Sequence, residues 1–99
     1  MIDLSACQPK IRKLCRSLAV RRLDLVGSAA RDDFRSESSD IDVLIEFQGD
    51  QALFDRYFDL KHGLERVLGR KVDVIQHGAI RNPYLRESIE RDRIVIYEA

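Results

Sequence analysis

The stretch Ile41–Phe47, IDVLIEF, constrains the fold more than any other part of the chain. It is dense in β-branched and apolar residues, the composition of a strand that packs into a core. Side chains alternate across a strand, so Ile41, Val43, Ile45 and Phe47 form one consistent core face. Asp40 and Asp42 then share the other face, about 6–7 Å apart at Cα. Any fold that buries this strand must hold two carboxylates side by side at its beginning.

Helical and strand patterns alternate around that strand. Ile11, Leu14, Cys15 and Leu18 recur at the spacing of an amphipathic helix, and Pro9 suits its first turn. Residues 22–26 (RLDLV) read as a short strand ending at Gly27-Ser28, with a brief helix expected over 29–34. Asp50 is expected to cap a helix over 51–68, with Phe54, Tyr57, Phe58, Leu64, Val67 and Leu68 as its apolar stripe and Gly69 as its stop. Residues 72–75 (VDVI) form a third strand, Asn82-Pro83 open a helix to about residue 91, and 93–97 close the chain as a strand. This alternation predicts an α/β (α+β) two-layer fold, a small mixed sheet with helices packed on one face.

Ninety-nine residues and 11.5 kDa suit a single domain, residues 1–99, with one modest core and no Pro/Gly/Ser linker. Seventeen basic residues against 17 acidic ones give a net charge of zero. That balance argues against direct nucleic-acid binding and against long-range attraction to an anionic membrane. No apolar run approaches the roughly 20 residues of a membrane helix, and no secretory pattern opens the chain, so a cytoplasmic protein is expected. Cys7 and Cys15 lack metal-type spacing and are too few for a disulfide framework; Cys15 reads as a small core residue.

Chemistry concentrates in residues 27–43, GSAARDDFRSESSDIDV. Glycine lets the backbone turn sharply and approach a ligand, and N–H groups at a helix start favour an anion such as a triphosphate. Gly27-Ser28 reads either as such a phosphate loop or as an ordinary strand–helix turn. Asp40 and Asp42 repel each other unless a cation lies between them, and Mg²⁺, which takes carboxylate oxygens at about 2.0–2.1 Å, resolves the conflict. The alternative is a solvated face that also includes Glu46. Asp73 shifts the balance, because it interrupts an aliphatic strand where a lone acid is a poor choice. Pairing of that strand beside 41–47 would let Asp73 join Asp40 and Asp42 in a two-metal site for in-line attack at phosphorus. Asp24 interrupts a strand in the same way, so it is the combination of features that carries the argument.

Gly27-Ser28, Arg31, Ser39-Asp40-Ile41-Asp42 and Val72-Asp73-Val74, in that order, resemble the minimal nucleotidyltransferases of the DNA polymerase beta superfamily. The resemblance spans about residues 23–97. It implies the nucleotidyltransferase fold, with Asp40, Asp42 and Asp73 as catalytic Mg²⁺ ligands and Gly27, Ser28 and Arg31 holding the phosphates of ATP. Two departures stand out: Asp32 follows Ala30-Arg31 where many members have glycine, and eleven residues separate Ser28 from Asp40. Larger relatives append acceptor-binding domains, for which these residues leave no room, so the acceptor would be small or brought by a partner. The resemblance further implies that partner: a HEPN-domain ribonuclease toxin, neutralised when AMP is transferred onto its tyrosine. A different reading is a non-enzymatic antitoxin that occludes the toxin by binding. A small acceptor such as an aminoglycoside is disfavoured for want of a pocket.

The remaining features have plainer readings. Arg31 and Arg35 read as exposed helix arginines that could also neutralise phosphate, and Lys71 as an edge lysine. His62 and His77 lack metal spacing and read as surface residues. Phe54, Tyr57 and Phe58 are expected in the core, with a partner-binding patch as the alternative. Residues 82–98 read as a solvated helix and an edge strand.

Overall fold

The apolar spacing around Ile11 forms helix α1 (Gln8–Ser17), with Pro9 in its first turn, in a computed structural model that describes residues 4–30 and 40–99. Strand β1 (Val20–Val26) runs into a 3-10 turn at Gly27–Ala30, and β2 (Ile41–Phe47) takes the bounds its composition predicts. Helix α2 (Leu53–Leu68), β3 (Val72–Gln76), a 3-10 turn at His77–Ala79, α3 (Pro83–Asp92) and β4 (Ile94–Glu98) follow. The helix expected over 29–34 lies, beyond Ala30, outside the described residues.

The sheet order is β3-β2-β1-β4. β1 is antiparallel to β2 and β4, while β2 and β3 run parallel, so the sheet is mixed. Alternation sorts its two faces. Leu23, Leu25, Ile41, Val43, Ile45, Val72 and Val74 are buried against Ile11 and Cys15 of α1 and Leu60 and Leu64 of α2. Burial pushes the Cys15 thiol up to about 12, which leaves it an inert core group. Gly63 lets the two helices approach closely: a Cβ there would stand 2.7 Å from a Leu14 methyl. On the opposite face Val26, Leu44, Ile80 and Ile89 form a smaller cluster, flanked by Ile75, where α3 crosses the sheet.

Two local expectations need correction. α2 begins at Leu53, after Ala52 in the left-handed region (φ 52°, ψ 38°), and no side chain caps it, Asp50 included. The preceding turn is organised through its carbonyls instead. The Arg56 guanidinium donates to the carbonyls of Leu18, Ala19, Gln48 and Gln51 at 2.8–2.9 Å and lies 4.5 Å from the Phe47 ring centroid. The aromatic cluster is also not uniformly core. Tyr57 is half-buried, but Phe54 is 74% and Phe58 37% exposed, because Phe58 sits about 100° round the helix from Tyr57 and off the Leu60/Leu64 stripe. The other end signals hold. Gly69 closes α2 with φ +68°, and the Asn82 side chain accepts from the Tyr84 and Leu85 N–H groups at 2.9 and 3.4 Å.

Asp24, in the central strand β1, is fully buried. Arg22 reaches it at 3.0 Å, and Arg93, between α3 and β4, closes a second ion pair with it. Arg93 also holds Glu90 at 2.6 Å. Burial works against the Arg93 cation, but its hydrogen bonds to Glu90 and Asp24 outweigh that and raise its pKa. This is a structural acid that ties α3 and β4 to the middle of the sheet. Removing one partner of a buried ion pair costs about 3–5 kcal/mol. Asp24→Ala is accordingly expected to lower unfolding free energy by about 3 kcal/mol or more in urea titrations.

Candidate active site

Three aspartates lie on the α3 face of the sheet because their neighbours in sequence are needed on the other. Alternation turns Asp24 and Val26, Asp42 and Leu44, and Asp73 and Ile75 away from the main core. Along this face the acids meet different surroundings. Asp24 pairs across with Leu44 under α3 and is neutralised by arginine. Asp42 pairs with Val26 on one side and is the direct register partner of Asp73 on the other. Asp42 is half-buried, while Asp73 and Asp40 are exposed. Asp40 stands one residue ahead of β2, where the Ile41 N–H donates to the Lys71 carbonyl at 3.1 Å and carries the parallel ladder to that end.

Gly27 completes the arrangement. It follows the last residue of β1 with φ +66°, and a Cβ at this position would stand 2.6 Å from Asp42 Oδ2. Glycine is required twice over, for its left-handed backbone and for the space the Asp42 carboxylate fills. The peptide that begins the 3-10 turn Gly27–Ala30 is thereby pressed against the Asp42 carboxylate. Ser28 lies in that turn, and Arg31 falls outside the described residues.

Helix α2 fixes the strand that carries Asp73. Tyr57, Lys61 and Glu65 are spaced four apart on one side of it. The Tyr57 hydroxyl donates to the Val74 carbonyl at 2.9 Å and Lys61 Nζ to the Val72 carbonyl at 2.7 Å. The Val72 N–H donates to Glu65 Oε2 at 3.1 Å. That backbone hydrogen bond, helped by Lys61, holds the Glu65 carboxyl below its ordinary range. These three side chains position Asp73 without touching it. The i, i+4, i+8 spacing was visible in sequence, but their strand partner was not.

Among the described residues, no three His, Cys, Asp or Glu side chains converge closely enough to share a metal ion. The backbone nevertheless suits one. Neighbouring strands lie about 4.8 Å apart and alternate residues about 6.7 Å apart, spacings over which the carboxylates of Asp40, Asp42 and Asp73 would need rotation about χ1 and χ2 to reach a common ion. Oxygen-only ligands favour a hard cation such as Mg²⁺. The histidines stand elsewhere: His62 is exposed beside Phe58, and His77 lies 3.8 Å from Glu90.

Residues 9–96 match the family described as Nucleotidyltransferase domain. The chain belongs to that family. A Methanocaldococcus jannaschii protein named "Putative protein adenylyltransferase" is 42% identical over 78 residues, 78% of this chain and 77% of that one. A solved minimal nucleotidyltransferase structure superposes on this nucleotidyltransferase with a TM-score of 0.76 at 34% identity, covering 92% of this chain and 90% of the other. The structure of a tri-AMPylated Shewanella oneidensis HEPN toxin in complex with its MNT antitoxin matches with a TM-score of 0.67 at 17% identity, covering 98% and 74%. At that identity the likeness is one of fold. No helix among the described residues of the nucleotidyltransferase is long and apolar enough to cross a membrane.

The Gly27–Asp42 contact makes a sharp prediction. Gly27→Ala must strain the backbone and swing the Asp42 carboxylate away, at a cost of about 1–2 kcal/mol. Urea titration should show that loss, and the Asp42 side-chain carboxyl ¹³C resonance should move. Gly78→Ala, where a Cβ meets nothing within 4 Å, should do neither.

Proposed function

We propose that this protein transfers AMP from ATP, with Mg²⁺, onto a tyrosine hydroxyl of a HEPN-domain ribonuclease toxin and so acts as its antitoxin. The observation that carries the proposal is the register pairing of Asp42 with Asp73 beside the backbone of Gly27. Support for AMP as the transferred group and for a HEPN partner comes from the relatives: one named an adenylyltransferase, another an antitoxin bound to an AMPylated toxin. Residues 1–99 act here as one nucleotidyltransferase domain, in the cytoplasm, where ATP is available and Cys7 and Cys15 stay reduced.

In this reading Asp40, Asp42 and Asp73 hold Mg²⁺. When bound, Mg²⁺ neutralises phosphate charge and lowers the pKa of the attacking hydroxyl. The Gly27 N–H and the Ser28 hydroxyl donate to phosphate oxygens, and Arg31 adds a cation, so that the triphosphate is held in line for attack. The acceptor oxygen forms a bond to the α-phosphorus while the bond to the α–β bridging oxygen breaks. Pyrophosphate leaves with the electron pair, and the hydroxyl proton passes to the Asp73 carboxylate.

Labelling tests this directly. ATP carrying ³²P at the α-position is mixed with Mg²⁺, this protein and a HEPN ribonuclease encoded beside it. Label should appear on the ribonuclease and fall at least 100-fold with Asp42→Asn or Asp73→Asn, about 2.7 kcal/mol of lost transition-state stabilisation. Unlabelled ribonuclease that is nonetheless inhibited stoichiometrically, by wild type and by both variants, would contradict transfer and leave occlusion as the mode of action.

A further inference from the structure

A cavity of about 160 Å³ lies between the sheet and α3 and opens on the candidate active site. Its apolar walls are Val26, Ile75, Leu85 and Ile89. Gly27, Asp42, Ser88 and Asp92 also line it, so one apolar space meets the Asp42 carboxylate and two further polar side chains of α3. A group seated there has its hydrocarbon body on the aliphatic walls and a hydrogen-bonding end within the polar set. A cavity of about 150 Å³ lined by Leu and Ile takes up benzene, so a single six-membered ring matches this space better than a purine's two fused rings.

We propose that this cavity receives the acceptor: the phenol ring of a tyrosine presented on a protein surface, with its hydroxyl directed toward Asp42. The assignment rests on the transfer reading above and adds to it the residues that select the acceptor. The Asp92 carboxylate accepts from the phenol O–H, the Ser88 hydroxyl donates to the phenol oxygen, and Leu85 and Ile89 clamp the ring. The rim supports a polypeptide rather than a free small molecule. Leu85, at the mouth, is 50% exposed, and its neighbour Tyr84 is 82% exposed, an apolar pair for the chain around the tyrosine to cover.

Amide NMR titrations of the full chain without ATP test the cavity separately from transfer. N-acetyl-tyrosinamide should shift the amides of Leu85, Ser88 and Ile89 saturably, and N-acetyl-phenylalaninamide should bind at least threefold more weakly. Leu85→Glu, at a half-exposed position whose folding the same spectra report, should weaken tyrosinamide binding at least fivefold. Equal affinity for the two amides would overturn the hydroxyl assignment. Tighter binding of adenosine to the same amides would assign the cavity to the base instead, and no shift with any probe would overturn the proposal. None of these outcomes depends on turnover. A cavity that fails with labelling intact refutes only the acceptor site, whereas labelling that fails with ring binding intact refutes the transfer reading.

Discussion

Burial of one face of a three-strand array sets everything else in this molecule. Leu23 and Leu25, Ile41, Val43 and Ile45, and Val72 and Val74 must all face α1 and α2, and the strand period of two leaves no freedom about what faces the other way. A slip of one residue in β2 or β3 would drive Asp42 or Asp73 into the core and expose two or three large aliphatic side chains. Hydrophobic burial therefore enforces the register that stands Asp42 beside Asp73. Two carboxylates that would otherwise avoid each other are held together by the cost of moving the residues around them.

The same residue type serves two purposes on that face, and position decides which. Asp24 lies deeper under α3, where desolvation demands a cation, and Arg22 and Arg93 supply two. Asp42 and Asp73 lie at the sheet end, where Asp73 is exposed and Asp42 lines the open cavity under α3. Rigidity comes from the surroundings. The Asp42 carboxylate packs into the space that Gly27, lacking a Cβ, leaves open, and Tyr57, Lys61 and Glu65 grip the backbone on both sides of Asp73. The proposed cation and triphosphate would need such preorganisation, since nucleotidyl transfer is chiefly positioning and charge stabilisation.

Much of this was legible in the residues. The bounds of β2 follow from a run whose alternation and β-propensity agree, and Asn82-Pro83 and Gly69 mark helix ends because their backbone chemistry is local. Asp42 and Asp73 stood out as acids in apolar strands, with Asp40 just ahead of one, and the parallel β2–β3 pairing that makes Asp73 relevant is the long-range fact sequence left open. What escaped was decided by distant partners. Asp24 has the same local context as Asp73, and burial with the distant partner Arg93, 69 residues away, sets it apart. The Asp50 cap failed because Arg56 gathers the surrounding carbonyls, a contact with four backbone groups from two separate turns. Phe54 and Phe58 looked like core on composition, yet the narrow Leu60/Leu64 stripe leaves them outside.

The central claim is that the sheet register builds a divalent-metal nucleotide site at Asp42, Asp73 and Gly27. Paramagnetic broadening by Mn²⁺ in place of Mg²⁺, with ATP present and amide resonances as the readout, tests it most directly. The account predicts broadening centred on residues 27, 42 and 73, with the Asp24 region and the α2 turn at Arg56 far less affected. Broadening centred elsewhere, or unchanged spectra at saturating Mn²⁺ and ATP, would contradict it.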